Sequence, residues 1–215
     1  MLPVPPRPEL WSRLARLFLG LVLFGLGLAL MVIADLGLAP WDVFHQGISE
    51  RTGIPIGTVV IIIGLLLLLL WFPLQERIGI GTIANAIVIG LVLDLSLLVL
   101  PDRLDLLMVR WAAMLVGVVV VAIGSGYYIG SGLGPGPRDG LMTGIARITG
   151  SPIGLVRGVL EISVLVVGWL LGGTVGIGTV VFALAIGPLV QFFLSRLQVP
   201  PVVLKPDSSE RRADG

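Results

Sequence analysis

Long apolar runs alternate with short polar segments along most of this chain. Six of the runs hold about twenty residues each and carry few or no charges. A helix of about twenty apolar residues crosses the hydrocarbon core of a bilayer, and no run shows the alternation typical of a membrane β-strand. The pattern therefore predicts six transmembrane helices, at about 14–34, 54–73, 81–100, 109–131, 153–172 and 176–195.

The composition indicates lipid rather than water as the surrounding medium. Of the 215 residues, 56% are hydrophobic and 13% are charged, and the mean hydropathy is +1.06. Soluble domains carry about 25% charged residues, so this chain lacks the charge to cover a water-facing surface, and its expected partner is the lipid bilayer. A net charge of +1 predicts no nucleic-acid partner. With no cysteine and one histidine, His45, no metal site and no cofactor are expected.

The basic residues predict the orientation, because Lys and Arg accumulate on the cytoplasmic side of membrane proteins. If the N-terminus is inside, three of the 14 basic residues lie at the outer face, namely Arg51, Arg103 and Arg110. We therefore predict a multi-pass protein of the cell membrane with both termini in the cytoplasm. The N-terminal tail, 1–11, and the C-terminal tail, 198–215, are rich in proline and charge, which predicts disorder.

The chain superposes on itself without a gap when it is shifted by 97 positions. Matches that chance apolar similarity would not produce include Gly37 with Gly134, Pro40 with Pro137, Asp42 with Asp139, Thr52-Gly53 with Thr149-Gly150, and Gly79-Ile80-Gly81-Thr82 with Gly176-Ile177-Gly178-Thr179. Each half, 12–100 and 109–197, holds three spans, so the second half enters the membrane from the opposite side. The prediction is an all-α protein of two inverted-topology three-helix repeats, an architecture typical of many secondary transporters.

A short segment of mixed polarity follows the first span of each half, at about 40–52 and 137–149. Proline suits the first turn of a helix, a carboxylate suits the positive N-terminal end, and glycine suits the position after the last turn. Both segments have all three signals: Pro40, Asp42 and Gly53 in the first, and Pro137, Asp139 and Gly150 in the second. Each segment is predicted to form a short helix, either amphipathic or re-entrant, preceded by a Gly-rich turn.

Two interpretations of these short helices remain open. In one, each helix lies at the membrane interface and its Asp caps the first turn. In the other, the Gly-rich turns and helix N-termini dip inward and bracket a polar site, where exposed N–H groups favour an anion. The candidate substrate-binding residues of the second interpretation are Gly37, Pro40, Asp42, Gly134, Pro137 and Asp139.

Polar side chains inside the spans form a second group of candidates, because they are costly in lipid and mark functional sites. Arg157 and Glu161 stand four residues apart in the fifth span, so they share a helix face and can pair. The alternative for Arg157 is that it extends to the inner surface. Glu161 lies deeper, which predicts a protonatable group coupled to proton flux. Asp94 and Asn85, both in the third span, complete the group.

Two stretches of the sequence resemble the YczE-type bacterial integral membrane proteins of the YczE/YyaS/YitT grouping. They are Ala34-Asp35-Leu36-Gly37-Leu38-Ala39-Pro40-Trp41-Asp42-Val43-Phe44-His45-Gln46-Gly47 and Gly79-Ile80-Gly81-Thr82-Ile83-Ala84-Asn85. The resemblance covers about 12–197 and implies a bacterial inner-membrane protein with several spans, but no agreed substrate or reaction. YitT-type members usually carry a soluble C-terminal domain, so the length of this chain favours the YczE side.

Two functions remain open on the sequence alone. No P-loop, Gly-x-Ser-x-Gly elbow or histidine metal motif occurs, so an enzyme is not expected. The predicted repeat favours a transporter or channel for an unidentified small solute, with its site at the interface of the halves. The alternative is a non-transporting accessory protein of an export or biosynthetic system. So small a bundle is also compatible with a homodimer.

Overall fold

Eight helices and no strand occur in residues 7–199, the part of the chain described by a computed structural model. The helices are α1 (Arg7–Ala34), α2 (Pro40–Thr52), α3 (Ile56–Leu74), α4 (Ile80–Leu97), α5 (Leu107–Gly130), α6 (Pro137–Thr149), α7 (Ile153–Leu170) and α8 (Ile177–Leu197). Six of them, all but α2 and α6, are long and apolar enough to cross a membrane, which agrees with the predicted number of apolar helices. The two short helices coincide with the segments predicted at 40–52 and 137–149.

The first helix is longer than predicted. It begins at Arg7, so residues 7–11 of the predicted N-terminal tail are helical. Glu9 lies in the first turn, where its negative charge stabilises the positive helix end. At the other end, Gln198 and Val199 of the predicted C-terminal tail are also described, and the Val199 N–H donates to the Gly130 carbonyl at 2.9 Å. The remaining predicted disorder concerns 1–6 and 200–215, which lie outside the described residues.

The centre of the bundle is an antiparallel pair, α1 and α5. Gly20 packs on the backbone of Gly124, and Gly27 packs on the backbone of Gly117. A Cβ atom at Gly20 would lie 2.6 Å from the Gly124 carbonyl oxygen, and one at Gly27 would lie 2.8 Å from that of Gly117. Only glycine allows so close an approach, as in many membrane helix pairs.

Two arginines at equivalent positions close the ends of this pair. Arg13 in α1 donates to the carbonyl oxygen of Ser131 at 3.0 Å, just beyond α5. Arg110 in α5 donates to the carbonyl oxygen of Ala34 at 2.7 Å, the last residue of α1. Because the last carbonyls of a helix lack intrahelical partners, each arginine satisfies one carbonyl of the opposite half.

The remaining contacts are largely reciprocal between the halves. Helix α2 packs on α7 as α6 packs on α3, and α4 packs on α1 as α8 packs on α5. The loops follow the same rule, because Gly81 donates to the Leu133 carbonyl at 2.9 Å and Gly178 donates to the Leu36 carbonyl at 2.7 Å. The two glycines are 97 positions apart in the sequence, and so are the two leucines.

One pair of helices departs from this reciprocity. Helices α3 and α4 pack along each other, and a Cβ atom at either Gly57 or Gly90 would overlap the carbonyl oxygen of the other. Within residues 7–199, the equivalent helices α7 and α8 do not pack along each other in this way. The equivalent glycines, Gly154 and Gly187, have no atom within 4 Å of a Cβ position. A lateral gap therefore separates α7 from α8.

Candidate functional site

A cavity of about 390 Å³ lies among the helices and is lined by residues of all eight. Its size falls within the range of small-molecule binding pockets. Much of its wall is apolar, and the polar residues in it come from α2, α4, α5, α6, α7 and α8. They are Asp42, His45, Asn85, Ser125, Tyr128, Arg138, Asp139, Arg157, Glu161 and Gln191.

The N-terminal turns of α2 and α6 meet at this cavity, although the preceding helices end far apart. Helix α1 ends 14 residues beyond Gly20, and α5 ends six residues beyond the facing Gly124 in the opposite direction. At 1.5 Å per residue, these two ends are about 30 Å apart along the helix pair. Trp41 and Arg138 nevertheless touch. Both turns must therefore run back from the ends of α1 and α5 toward the middle of the bundle.

Trp41 and Arg138 occupy equivalent positions in the two halves. The guanidinium carbon of Arg138 lies 5.2 Å from the ring centroid of Trp41, close enough for a cation–π interaction. The indole is 6% exposed, so water does little to screen the contact. The second residue of each short helix therefore contributes one member of the pair.

A buried hydrogen-bonded cluster surrounds Asp42. Its Oδ1 lies 3.3 Å from Arg138 Nη2 and 3.3 Å from His45 Nδ1, while Arg138 Nη2 lies 3.4 Å from His45 Nδ1. These are the hydrogen bonds of the Asp42 carboxylate among the described residues, so it does not make the predicted cap of the first turn.

The surroundings set the charges in this cluster, which lies outside the six spans. Burial tends to raise the pKa of Asp42, but the charge of Arg138 and the hydrogen bond with His45 outweigh it, so the pKa falls below 3.8. Burial lowers the pKa of His45 below 6.5, and the hydrogen bond with Asp42 only partly opposes this effect. At neutral pH, Asp42 and Arg138 therefore form an ion pair beside an uncharged imidazole.

Asp139, the equivalent of Asp42, has quite different surroundings. The hydroxyl of Tyr128 donates to Asp139 Oδ2 at 3.1 Å. Among the side chains of residues 9–199, no basic group lies within 4.0 Å of the Asp139 carboxylate. The residue is exposed and faces the cavity. Of these two equivalent aspartates, Asp42 is therefore paired with a cation and Asp139 is not.

Arg157 and Glu161 lie on the cavity wall beside the lateral gap. Arg157 Nε is 2.8 Å from Glu161 Oε1, which confirms the pairing predicted from their spacing. Arg157 is 55% exposed and Glu161 is 30% exposed at their side chains. The Arg157 side chain reaches its partner one turn along its own helix.

The other predicted site residues divide between the cavity and helix contacts. Pro40, Pro137 and Asn85 line the cavity. Gly37 and Gly134 do not: each has a positive φ and packs on the start of a helix, α8 for Gly37 and α4 for Gly134. Their lack of a Cβ atom permits this close contact, so they position the short helices and do not line the site.

Asp94 also lies away from the cavity wall. Its Oδ1 accepts a hydrogen bond from the Gly57 N–H at 2.6 Å, and its Oδ2 accepts one from the Thr58 hydroxyl at 2.8 Å. The carboxylate thus satisfies the start of α3 and fastens α3 to α4. Its equivalent in the second half, Gln191, lines the cavity.

Sequence reasoning did not identify Trp41, Arg138 and Tyr128 as site residues. One signal was present, because position 41 and position 138 differ in chemistry within otherwise matching Pro-x-Asp segments. Among the described residues, no three His, Asp or Glu side chains are grouped so that they would hold a metal ion.

Comparison with known proteins places the chain in a family. A family model described as "Family of unknown function (DUF6198)" matches residues 11–195. The chain belongs to this family. An uncharacterized protein of Haemophilus influenzae is 42% identical over 185 residues, which is 86% of this chain and 84% of the relative.

Two Bacillus subtilis relatives confirm the predicted YczE-type grouping of this DUF6198 member. "Uncharacterized membrane protein YczE" is 34% identical over 191 residues, 87% of this chain and 88% of the relative. "Uncharacterized protein YyaS" is 26% identical over 180 residues, 82% and 89% of the two chains. No solved structure matches the chain. Family and helices together identify a multi-pass integral membrane protein.

Proposed function

We propose that this protein is a small-molecule transporter made of two inverted-topology repeats, and that it binds its solute in the central cavity. The observation that carries this proposal is the meeting of α2 and α6. Equivalent segments from the two halves bring Asp42 and Asp139 to one cavity. Discontinuous helices that meet at a repeat interface are typical binding sites of secondary transporters.

The contacts of the first helices support the inverted arrangement. Helices α1 and α5 are equivalent in sequence and antiparallel in space, and each arginine at their ends binds the other helix. Reciprocal contacts of this kind are expected when a two-fold axis passes between the two helices. With both ends of the chain in the cytoplasm of a bacterial cell, this axis lies in the plane of the inner membrane.

The unequal packing of α3–α4 and α7–α8 supports an alternating mechanism. Both pairs carry glycine at the two positions where close contact occurs in the first half. The second half therefore has the residues needed for the closed packing but is open. In the opposite state of the transporter, Gly154 packs against Gly187 while Gly57 separates from Gly90. Two packings of equivalent helices differ little in free energy, which suits a two-state switch.

The open gap lies at one end of the protein. Gly154 is the second residue of α7, at the end of the bundle where Arg13 binds Ser131, whereas Gly57 is at the start of α3, at the end where Arg110 binds Ala34. With a cytoplasmic N-terminus, the cavity opens to the cytoplasm and is closed toward the outside by α3 and α4.

Labelling of single cysteines tests the transporter proposal, because the natural chain contains no cysteine. Asn85→Cys lines the cavity, and Asp102→Cys in the α4–α5 loop is the control. A membrane-impermeant maleimide is applied to right-side-out and to inside-out vesicles. We expect Asn85→Cys to react from both sides and Asp102→Cys from the outside only.

A cross-link tests the proposed second state. Gly154→Cys with Gly187→Cys, added to Asn85→Cys, is treated with a short bifunctional thiol reagent. We expect the cross-link to form in membranes and to abolish the labelling of Asn85→Cys from the cytoplasmic side. Labelling from one side only, whether or not the cross-link forms, contradicts the transporter and favours a fixed vestibule in an accessory protein.

A further inference from the structure

The charges of the cavity wall are not balanced. The wall carries three carboxylates, Asp42, Asp139 and Glu161, and two guanidinium groups, Arg138 and Arg157. Each guanidinium is already paired with a carboxylate, at 3.3 Å for Asp42 and 2.8 Å for Glu161. Asp139 is the remaining carboxylate of the cavity wall, and a hydroxyl is its hydrogen-bond donor. The cavity therefore has one net negative charge, and it is located at Asp139.

The two helix N-termini alone would favour an anionic solute, but the charges of the cavity wall disfavour one. Each of the two N-terminal turns carries its own carboxylate, Asp42 or Asp139, and this negative charge opposes the attraction of the turn for a solute anion. Arg138, the basic residue beside α2, is engaged by Asp42 and by the Trp41 ring. Neither turn therefore leaves an unpaired positive group facing the cavity.

Aromatic rings line the same cavity as the unpaired carboxylate. The cavity wall includes Phe24, Trp41, Tyr128 and Phe182. Tyr128 donates to Asp139, and Phe24 lies edge-on to Tyr128 with 6.3 Å between ring centroids. Aromatic faces attract cations, ammonium groups of ligands included. The combination of one carboxylate, several rings and an apolar wall matches an ammonium group attached to an apolar body.

We propose that the solute is a small organic cation whose ammonium group binds Asp139 and whose apolar part occupies the aromatic wall. This proposal rests on the cavity being the binding site of a transporter. The ammonium group would form an ion pair with the exposed Asp139 carboxylate. A bound anion would instead be repelled by this carboxylate, with no unpaired cation nearby to offset the repulsion.

Binding of matched probes to the purified full chain in lipid nanodiscs tests this inference. The probes are radiolabelled benzyltrimethylammonium and, with opposite charge, phenylacetate. We expect saturable binding of the cation and none of the anion. We further expect Asp139→Asn to weaken cation binding by about tenfold to hundredfold, as loss of a charged partner does, while Asp139→Glu restores much of it.

Asp102→Asn is the matched control, because it removes one negative charge from an exposed loop residue outside the cavity wall. This variant should bind the cation as the natural chain does.

Elution as a single peak in size-exclusion chromatography establishes that Asp139→Asn is folded. Preference for phenylacetate, absence of cation binding, or equal cation affinity in Asp139→Asn overturns the inference. Two-sided labelling of Asn85→Cys would still stand in that case, so failure of the solute class is distinct from failure of the transporter.

Discussion

Arg138 stacks on Trp41 across the centre of the bundle, although the two residues hold the same position in successive halves of the chain. A pair of tryptophans would lack the cation that this contact needs, and a pair of arginines would lack the ring. The difference at this one position also neutralises Asp42 and leaves Asp139 without a cation. A small departure from the repeat thus makes the two sides of the cavity chemically different.

Removal of Arg138 should destabilise the protein through Asp42. Arg138→Gln leaves a buried carboxylate without its cation, and we expect the free energy of unfolding to fall by about 1–3 kcal/mol. The double variant Arg138→Gln, Asp42→Asn should recover most of this loss. The exposed Arg103, which pairs with Asp35, is the control, and Arg103→Gln should change the value by less than about 1 kcal/mol. Unfolding followed by tryptophan fluorescence in detergent measures all of them; equal losses at both arginines would refute the argument.

Alanine at two equivalent glycines should have unequal effects. Gly57→Ala places a Cβ atom against Gly90 and Asp94, and we expect it to cost about 1–3 kcal/mol of stability. Gly154→Ala meets open space and should change stability by less than about 0.5 kcal/mol. Thermal unfolding in detergent compares the two variants directly. A similar loss in both would mean that α7 and α8 are packed like α3 and α4.

Stability should fall as the pH falls below neutrality. Burial lowers the folded-state pKa of His45 below 6.5. Below pH 6.5, the imidazole therefore binds a proton more readily in the unfolded chain than in the folded chain. The loss for this group is at most about 1.4 kcal/mol for each pH unit below 6.5. Asp42, whose folded-state pKa is also lowered, adds a loss of the same sign near its ordinary value of 3.8 and below.

His45→Gln provides the control for this pH effect. Glutamine does not titrate, so the unfolding temperature of the variant should depend less on pH between 7 and 5 than that of the natural chain. An unchanged slope over this interval would assign the effect to other groups.

Glu161→Gln should remove the pH dependence of cation flux without unfolding the protein. The side chain is part exposed in an ion pair with Arg157, which limits its contribution to stability. Besides this pair, the charged and titratable groups of the cavity are Asp42, His45, Tyr128, Arg138 and Asp139, and the variant leaves them in place. Uptake of benzyltrimethylammonium into proteoliposomes at several pH values is the measurement, and the exposed Glu50→Gln is the control. An unchanged pH profile in Glu161→Gln would end the coupling hypothesis.

The local features of this fold follow from the sequence because their signals are local. Apolar length predicts each span, and Pro40, Pro137, Gly53 and Gly150 mark the bounds of the short helices. Among the residues that the sequence predicts for a site, Asp139 and Glu161 line the cavity. Gly37 and Asp94, which were predicted with them, do not line the cavity. A conformational or capping role leaves the same residue types at the same spacing, so the sequence does not distinguish it from a binding role.

The sequence by itself therefore determined six long apolar helices, the repeat of its residues at 97 positions and the short helix that follows the first apolar helix of each half. Only the tertiary structure decided which charges meet, because Arg138 reaches Trp41 and Asp42 through contacts between residues 96 or 97 positions apart. It also decided that α3–α4 is packed and α7–α8 is open. Both helix pairs carry glycine at the equivalent positions, so the local sequence predicts the same packing for each. The difference between them comes from packing against the rest of the bundle.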